Sequence, residues 1–245
     1  ISQEEFRAER AQLATITGVL PDVRLGVRID VGGEKMFVVD ETGAMLEDAV
    51  ALAAVAALVF QSHPGGTAVV TADQSLVIEQ LAQRYGGQVR RCPVDAQALM
   101  EAASQGDVVM GGDGAGNFIF PALHPAIDGL IALGKLIELL AKQNLQLSQV
   151  VANLPPFYIA SGEVSGSWES KGRVMRCLLE QFAKFRTETV DGLKIYLGTG
   201  TWVLIRPDAD RPIFHITAEA SSLAAAQEIV ADYGGLVRSL VHSGA

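Results

Sequence analysis

A chain of 245 residues with a formal net charge of −9 suits two or three compact domains, and its acidity excludes a nucleic-acid binder that tracks phosphates with a basic face. Apolar residues make up 49% and charged residues 19%, below the usual quarter, so a substantial core is expected. The most apolar run, Ala49 to Phe60, falls short of the roughly 20 residues that a bilayer requires, so no membrane partner is expected either.

The segment after Ile1 is polar and charged, without the apolar core of a secretion signal, and Cys92 and Cys177 lie far apart with no metal spacing. A cytoplasmic protein with two reduced, buried thiols is the expectation. In chain order, Gln3 to Leu13 favours a helix. Leu25 to Asp30 and Met36 to Val39 read as strands about a Gly32-Gly33 turn. Asp48 to Gln61 reads as a buried helix closed by His63-Pro64-Gly65-Gly66, which also looks like a domain junction. Thr67 to Thr71 is a β-branched strand, and Asp73 is placed to cap a helix running to Tyr85.

Gln88 to Arg91 and Val108 to Met110 read as strands flanking a helix at Ala96 to Ala103. Beyond a glycine-rich loop, helices are expected at Ala126 to Gln143 and Leu147 to Leu154. This alternation signals a layered α/β domain. Pro155-Pro156 breaks the pattern. A helix at Trp168 to Phe185, a hairpin of Leu193 to Leu197 with Trp202 to Arg206, a strand at Ile213 to Ala218 and a helix from Ser222 to Leu240 then read as a smaller α+β domain. The expected class is α/β: layered α/β/α followed by α+β.

Four segments, in order, resemble the α-D-phosphohexomutases, the family of phosphomannomutases and phosphoglucomutases. The stretch 25–35 with the Asp40-Glu41-Thr42-Gly43 turn is similar to the family's metal loop, Asp-Gly-Asp-x-Asp-Arg before a strand ending Asp-x-x-Gly. The stretch 111–120 is similar to the sugar-recognition loop Gly-Glu-x-Ser-Gly-His. Asp128-Gly129-Leu130 with Leu147-Ser148-Gln149 matches the helix pair that follows, and 190–194 with 202–212 resembles the last domain, where Arg-Pro-Ser-x-Thr-Glu-Pro holds the substrate phosphate. The resemblance implies that residues 1–64 are the C-terminal part of mutase-like domain two, 65–156 domain three and 157–245 domain four. The phosphoserine domain has no counterpart here. Trp168 to Arg176 and the Arg-Pro-Asp-Ala-Asp phrase further resemble mutase-like modules fused to mannose-1-phosphate guanylyltransferases.

The residues depart from the family pattern at each loop. Magnesium favours clustered hard oxygens, but the three metal positions hold Asp30, Gly32 and Glu34, so only a weak magnesium site is expected. In the sugar loop, Asp113 replaces Glu, Ala115 replaces Ser and Asn117 stands in for His; Asp113 and Asn117 remain the candidate sugar contacts. In the phosphate loop Asp208 and Asp210 occupy the Ser and Thr positions, and carboxylates donate no hydrogen bond to an anion. Arg206 and Arg211 are the candidate phosphate contacts, each with an Asp available to neutralise it. His215 is expected to serve packing or to face solvent.

Losing even one electrostatic anchor costs roughly a hundred- to a thousandfold in rate, so the chain alone is expected to be inactive. The leading expectation is a non-catalytic module, structural or regulatory, beside a sugar-nucleotide synthesising domain in the same or another chain, with a homo-oligomer as a further option. One alternative is the substrate-binding part of a hexose-phosphate mutase, an isomerase that needs its serine domain supplied. Another is an effector module that binds a sugar phosphate or nucleotide.

Overall fold

The computed structural model describes residues 3–20 and 22–243, with side chains from residue 7 onward. The chain divides into two compact units, Ile1–Pro155 and Pro156–Ala245.

In the first unit, α1 (Gln3–Val19) lies against an antiparallel hairpin of β1 (Leu25–Ile29) and β2 (Met36–Asp40). The turn after β2 accepts the helix because Gly43 adopts φ +84° and lacks a Cβ; one added there would sit 2.8 Å from the Ala14 carbonyl oxygen. Asp40, though buried, has its Oδ1 satisfied by Thr42 N at 2.9 Å, Thr42 Oγ1 at 2.6 Å and Ala44 N at 3.0 Å.

Helix α2 (Asp48–Ser62) is buried at nine positions between Ala51 and Phe60. An alanine- and valine-rich helix with no polar stripe can only lie inside a fold. Then follow β3 (Thr67–Thr71), α3 (Val77–Arg84), β4 (Gln88–Cys92), α4 (Ala96–Ala103), β5 (Val108–Gly112), β6 (Phe118–Ile119), α5 (Gly129–Gln143) and α6 (Leu147–Ala152). The sheet runs β4-β3-β5-β6, with β3 parallel to both neighbours and β6 antiparallel to β5. Every residue of β3 is buried, as expected of a strand in a sheet covered on both faces.

The Asp73 cap expected from the sequence does not form: α3 starts at Val77, and Asp73 Oδ1 accepts from Thr71 Oγ1 at 2.6 Å and Gln74 Nε2 at 3.1 Å. The 72–76 connection is held instead by Arg91. Its guanidinium pairs with both Glu79 oxygens at 2.8 and 2.7 Å and donates to the carbonyls of Thr71, Gln74 and Ser75. Helix α5 begins at Gly129, later than expected, because Asp128 caps it by accepting from Ile131 N at 2.8 Å.

The second unit contains β7 (Tyr158–Ser165), α7 (Trp168–Gln181), β8 (Thr187–Glu188), β9 (Leu193–Gly198), β10 (Thr201–Pro207), β11 (Ile213–Ala220) and α8 (Leu223–His242). Its sheet is antiparallel throughout, in the order β7-β11-β10-β9-β8. Strand β7 is an addition to the sequence reading. Val164 from β7, Val174 and Leu178 from α7, Ile205, Phe214 and Val237 anchor the core. The layered α/β/α unit followed by an α+β unit is the architecture expected from the sequence.

Candidate functional site

Three loops of the first unit meet. The turn from Asp30 to Lys35 joins β1 to β2, the loop 113–117 leaves the carboxyl end of β5, and α5 begins beside them. Met36 N donates to Gly116 O at 2.9 Å, and Gly129 N to Gly33 O at 2.8 Å, so backbone hydrogen bonds lock the three together. Gln74, at the carboxyl end of β3, donates through Nε2 to Asp113 O at 2.6 Å. The carboxyl end of parallel strands is where open α/β sheets bind ligands.

Asp113 and Asn117 are brought together. Asp113 Oδ1 accepts from Ala115 N at 2.8 Å and Asn117 N at 3.2 Å, while Oδ2 accepts from Asn117 Nδ2 at 2.6 Å. This organises the loop and leaves Asp113 Oδ2 and Asn117 Oδ1 with capacity to accept from a hydroxyl. Beside them lies Asp48, which sequence reasoning missed. Burial pushes its carboxyl above the ordinary value; Arg10, whose Nη2 is 3.7 Å from Asp48 Oδ1, opposes that rise, and the negative charge of Asp113 adds to it.

Asp30 and Glu34 share the β1–β2 turn, but Asp30 serves the backbone. Its Oδ1 accepts from Glu34 N at 2.8 Å and Lys35 N at 3.0 Å, with the Lys35 bond the main reason its carboxyl lies below the ordinary value. Gly32 supplies no ligand between them. Among the described residues no group of three His, Cys, Asp or Glu side chains could hold a metal ion. The residues therefore do not fit the three-carboxylate magnesium loop of the family.

In the second unit, Asp208 to Pro212 form the hairpin loop between β10 and β11. Arg206 and Arg211 are both engaged, but differently. Arg206 Nε lies 3.4 Å from Asp191 Oδ2, a partner from the turn before β9. Arg211 Nη2 lies 3.2 Å from Asp208 Oδ2 and 3.1 Å from Glu163 Oε1 on β7. Asp208 Oδ1 accepts from the backbone N–H groups of Asp210 and Arg211, both at 2.8 Å, and Oδ2 lies 2.6 Å from His215 Nε2. These contacts, His215 foremost and then the Asp210 N–H, hold the Asp208 carboxyl far below the usual carboxylate range. Lys171 from α7 closes the turn, donating to the carbonyls of Asp208 at 2.5 Å and Arg211 at 2.6 Å, with its Nζ 3.7 Å from the Trp168 ring centroid.

His215 is thus neither packing filler nor idle surface. Cross-strand register aligns Arg206 with His215 and His215 with Glu163, forming one polar row on one face of the sheet. Strand alternation places Arg206 and His215 on common faces of their own strands, but only the pairing register brings in Glu163. Lys171 had a sequence signal: it lies one helical turn after Trp168, on the same helix face.

Residues 47–158, which take in α2 and the sheet of the first unit, match the family model for the phosphoglucomutase/phosphomannomutase alpha/beta/alpha domain III. The chain is 30% identical over 222 residues to a protein of Methanopyrus kandleri named probable phosphoglucosamine mutase, covering 90% of this chain and 49% of that protein. It is 29% identical over 204 residues to a phosphoglucomutase/phosphomannomutase of Thermococcus kodakarensis, covering 83% of this chain and 44% of that one. The chain spans about half the length of these curated relatives. The crystal structure of a phosphoglucomutase/phosphomannomutase family protein from Burkholderia thailandensis superposes with a TM-score of 0.77 at 20% identity, over 97% of this chain and 50% of that one, a likeness of fold. Residues 47–158 are thus similar to a phosphoglucomutase/phosphomannomutase domain III, and the chain over most of its length is similar to proteins named as hexose-phosphate mutases.

Proposed function

We propose that this chain is the substrate-binding portion of a hexose-phosphate mutase, an intramolecular phosphotransferase whose phosphoserine lies outside these residues. The observation that carries the reading is 30% identity over 222 residues to a protein named as a phosphoglucosamine mutase, together with the domain III match. It displaces the leading expectation from the sequence, a non-catalytic module linked to a guanylyltransferase, because the relatives on which it rests are named as mutases. In this reading the residues before the domain III match of 47–158 are the end of a second mutase domain, and those after it a fourth.

The chain's own groups would bind and orient. Asp113 Oδ2 and Asn117 accept sugar hydroxyls, held in place by the Gln74 hydrogen bond to the Asp113 carbonyl. Taken by itself, the second unit offers an anion the guanidinium of Arg211 on its β10–β11 turn. No step is assigned to a metal, since the Asp30–Lys35 turn lacks the third carboxylate. The names of the relatives point to hexose and amino-hexose phosphates as substrates.

The test is turnover by the full-length polypeptide of glucosamine, glucose and mannose 6-phosphates to the 1-phosphates. Arg211→Ala should lower kcat/KM about ten- to a hundredfold, the effect of removing one charge-assisted hydrogen bond of roughly 1.5–3 kcal/mol. A full-length polypeptide that binds these sugars but turns none of them over would refute the proposal.

A further inference from the structure

The β10–β11 turn is built around an anion of its own. Asp208 presents one oxygen to two backbone N–H groups, those of Asp210 and Arg211 at 2.8 Å, and the other to Arg211 Nη2 at 3.2 Å and His215 Nε2 at 2.6 Å. Two amides, a guanidinium and an imidazole converging on a pair of oxygens are the donor set by which proteins hold a free oxyanion. Here a side chain three residues away in the same turn fills the position, and it is 13% exposed.

The surrounding charges hold that geometry. Glu163 on β7 lies 3.6 Å from His215 Nδ1 and 3.1 Å from Arg211 Nη2, so it contacts both donors. Lys171 on α7 ties the carbonyls of Asp208 and Arg211, and Arg206 on β10 is held back by Asp191. Asp210 contributes its N–H to the Asp208 carboxylate.

We infer that Asp208 is an internal anion plugging an oxyanion site of the β10–β11 turn, so that phosphate or a phosphate monoester enters only where the Asp208 carboxylate is displaced. An intramolecular competitor acts at an effective concentration of the order of millimolar or higher, which a free anion must exceed. The identity of the outside anion as a phosphate ester rests on the mutase reading; the plug itself rests on the geometry.

The experiment is calorimetric titration of the whole chain with inorganic phosphate at fixed ionic strength, with sulfate as a second oxyanion. Asp208→Gly removes the plug and leaves the N–H groups, Arg211 and His215. Asp208→Asn keeps an oxygen for the two N–H groups, and so the turn, while removing the charge facing Arg211 and His215. Each should bind phosphate at least tenfold more tightly than the parent chain, and adding Arg211→Gln should abolish the gain. Parent-like binding in both variants, with far-UV circular dichroism showing them folded, would overturn the inference; so would a gain that survives Arg211→Gln. Mutase turnover without any gain in phosphate binding would remove the plug and leave the mutase reading standing. A gain without turnover in the full-length polypeptide would do the reverse.

Discussion

Single residues set the chemistry of each loop, and Gly32 and Asp48 show how. Gly32 has no positive φ, and a Cβ built on it would stand 3.6 and 3.8 Å from the Asp30 carboxylate oxygens and 3.8 Å from Glu34 Cδ, which is ordinary contact. The backbone therefore still points position 32 between two carboxylates. Gly32→Asp should give three converging carboxylates that repel one another until a hard cation binds. Its thermal midpoint should fall without divalent cations and rise with millimolar magnesium, while the parent's stays flat; an unresponsive variant would show that the turn has lost the metal geometry. Asp48 supplies a pH prediction. Its carboxyl is raised by burial, so the folded state takes up a proton before the unfolded chain does. Relative to Asp48→Asn, the parent should gain stability as pH falls from 7 towards the ordinary carboxylate range near 4. Denaturant titrations of both proteins at several pH values would measure this, and a parent that loses ground on acidification would contradict it. Asp208 is the opposite case: its depressed pKa stabilises the turn above the ordinary carboxylate range, and that contribution fades only in stronger acid.

At the scale of elements, helix starts and buried strands follow local rules while edges do not. Helix α7 begins at a reciprocal cap: Ser167 Oγ accepts from Ser170 N at 3.2 Å, and Ser170 Oγ accepts from Ser167 N at 3.0 Å. The residue before that cap also meets the β10–β11 turn, since Gly166 N donates to Pro212 O at 2.9 Å. Ser167→Ala should cost about 1 kcal/mol, read as a lower denaturation midpoint at unchanged m-value. An effect near zero would mean that the Pro212 contact and Lys171 alone hold the helix start. The apolar helix α2 and the β-branched β3 were legible because burial on all sides leaves no alternative to an apolar run. Strand β7 was not, because it is an edge strand carrying Gly162, Ser161 and Glu163 at positions where β11 supplies the pairing. The short strands β6 and β8 escaped for a related reason: two residues carry no periodicity.

For the whole molecule, the second unit's core closes among its own elements: Val164, Val174, Leu178, Ile205, Phe214, Ile216 and Val237 come from β7, α7, β10, β11 and α8. Residues 156–245 expressed alone should therefore unfold cooperatively with denaturant, monitored by circular dichroism. A fragment with a featureless, non-cooperative titration would show that its core depends on the rest of the chain. Buried Trp202 will report on the same transition by fluorescence, as its Nε1 donates to Glu219 Oε2 at 2.5 Å and Lys194 Nζ sits 3.7 Å from its ring centroid. Among the described residues no helix is long and apolar enough to cross a membrane.

By itself the amino-acid order determined the layered α/β/α and α+β architecture and the family resemblance, because hydrophobic periodicity and glycine placement act over a few neighbouring residues. It also showed which loop positions differ from the motifs they resemble: Gly32, Ala115, Asp208 and Asp210 can be read without coordinates. Tertiary structure alone decided what those changes do. His215 reaches Asp208 across the β10–β11 turn and meets Glu163 through strand register, and Asp48 gains its raised pKa from burial. Side-chain partners set by strand pairing and desolvation depend on residues distant in the chain, and no local pattern encodes them.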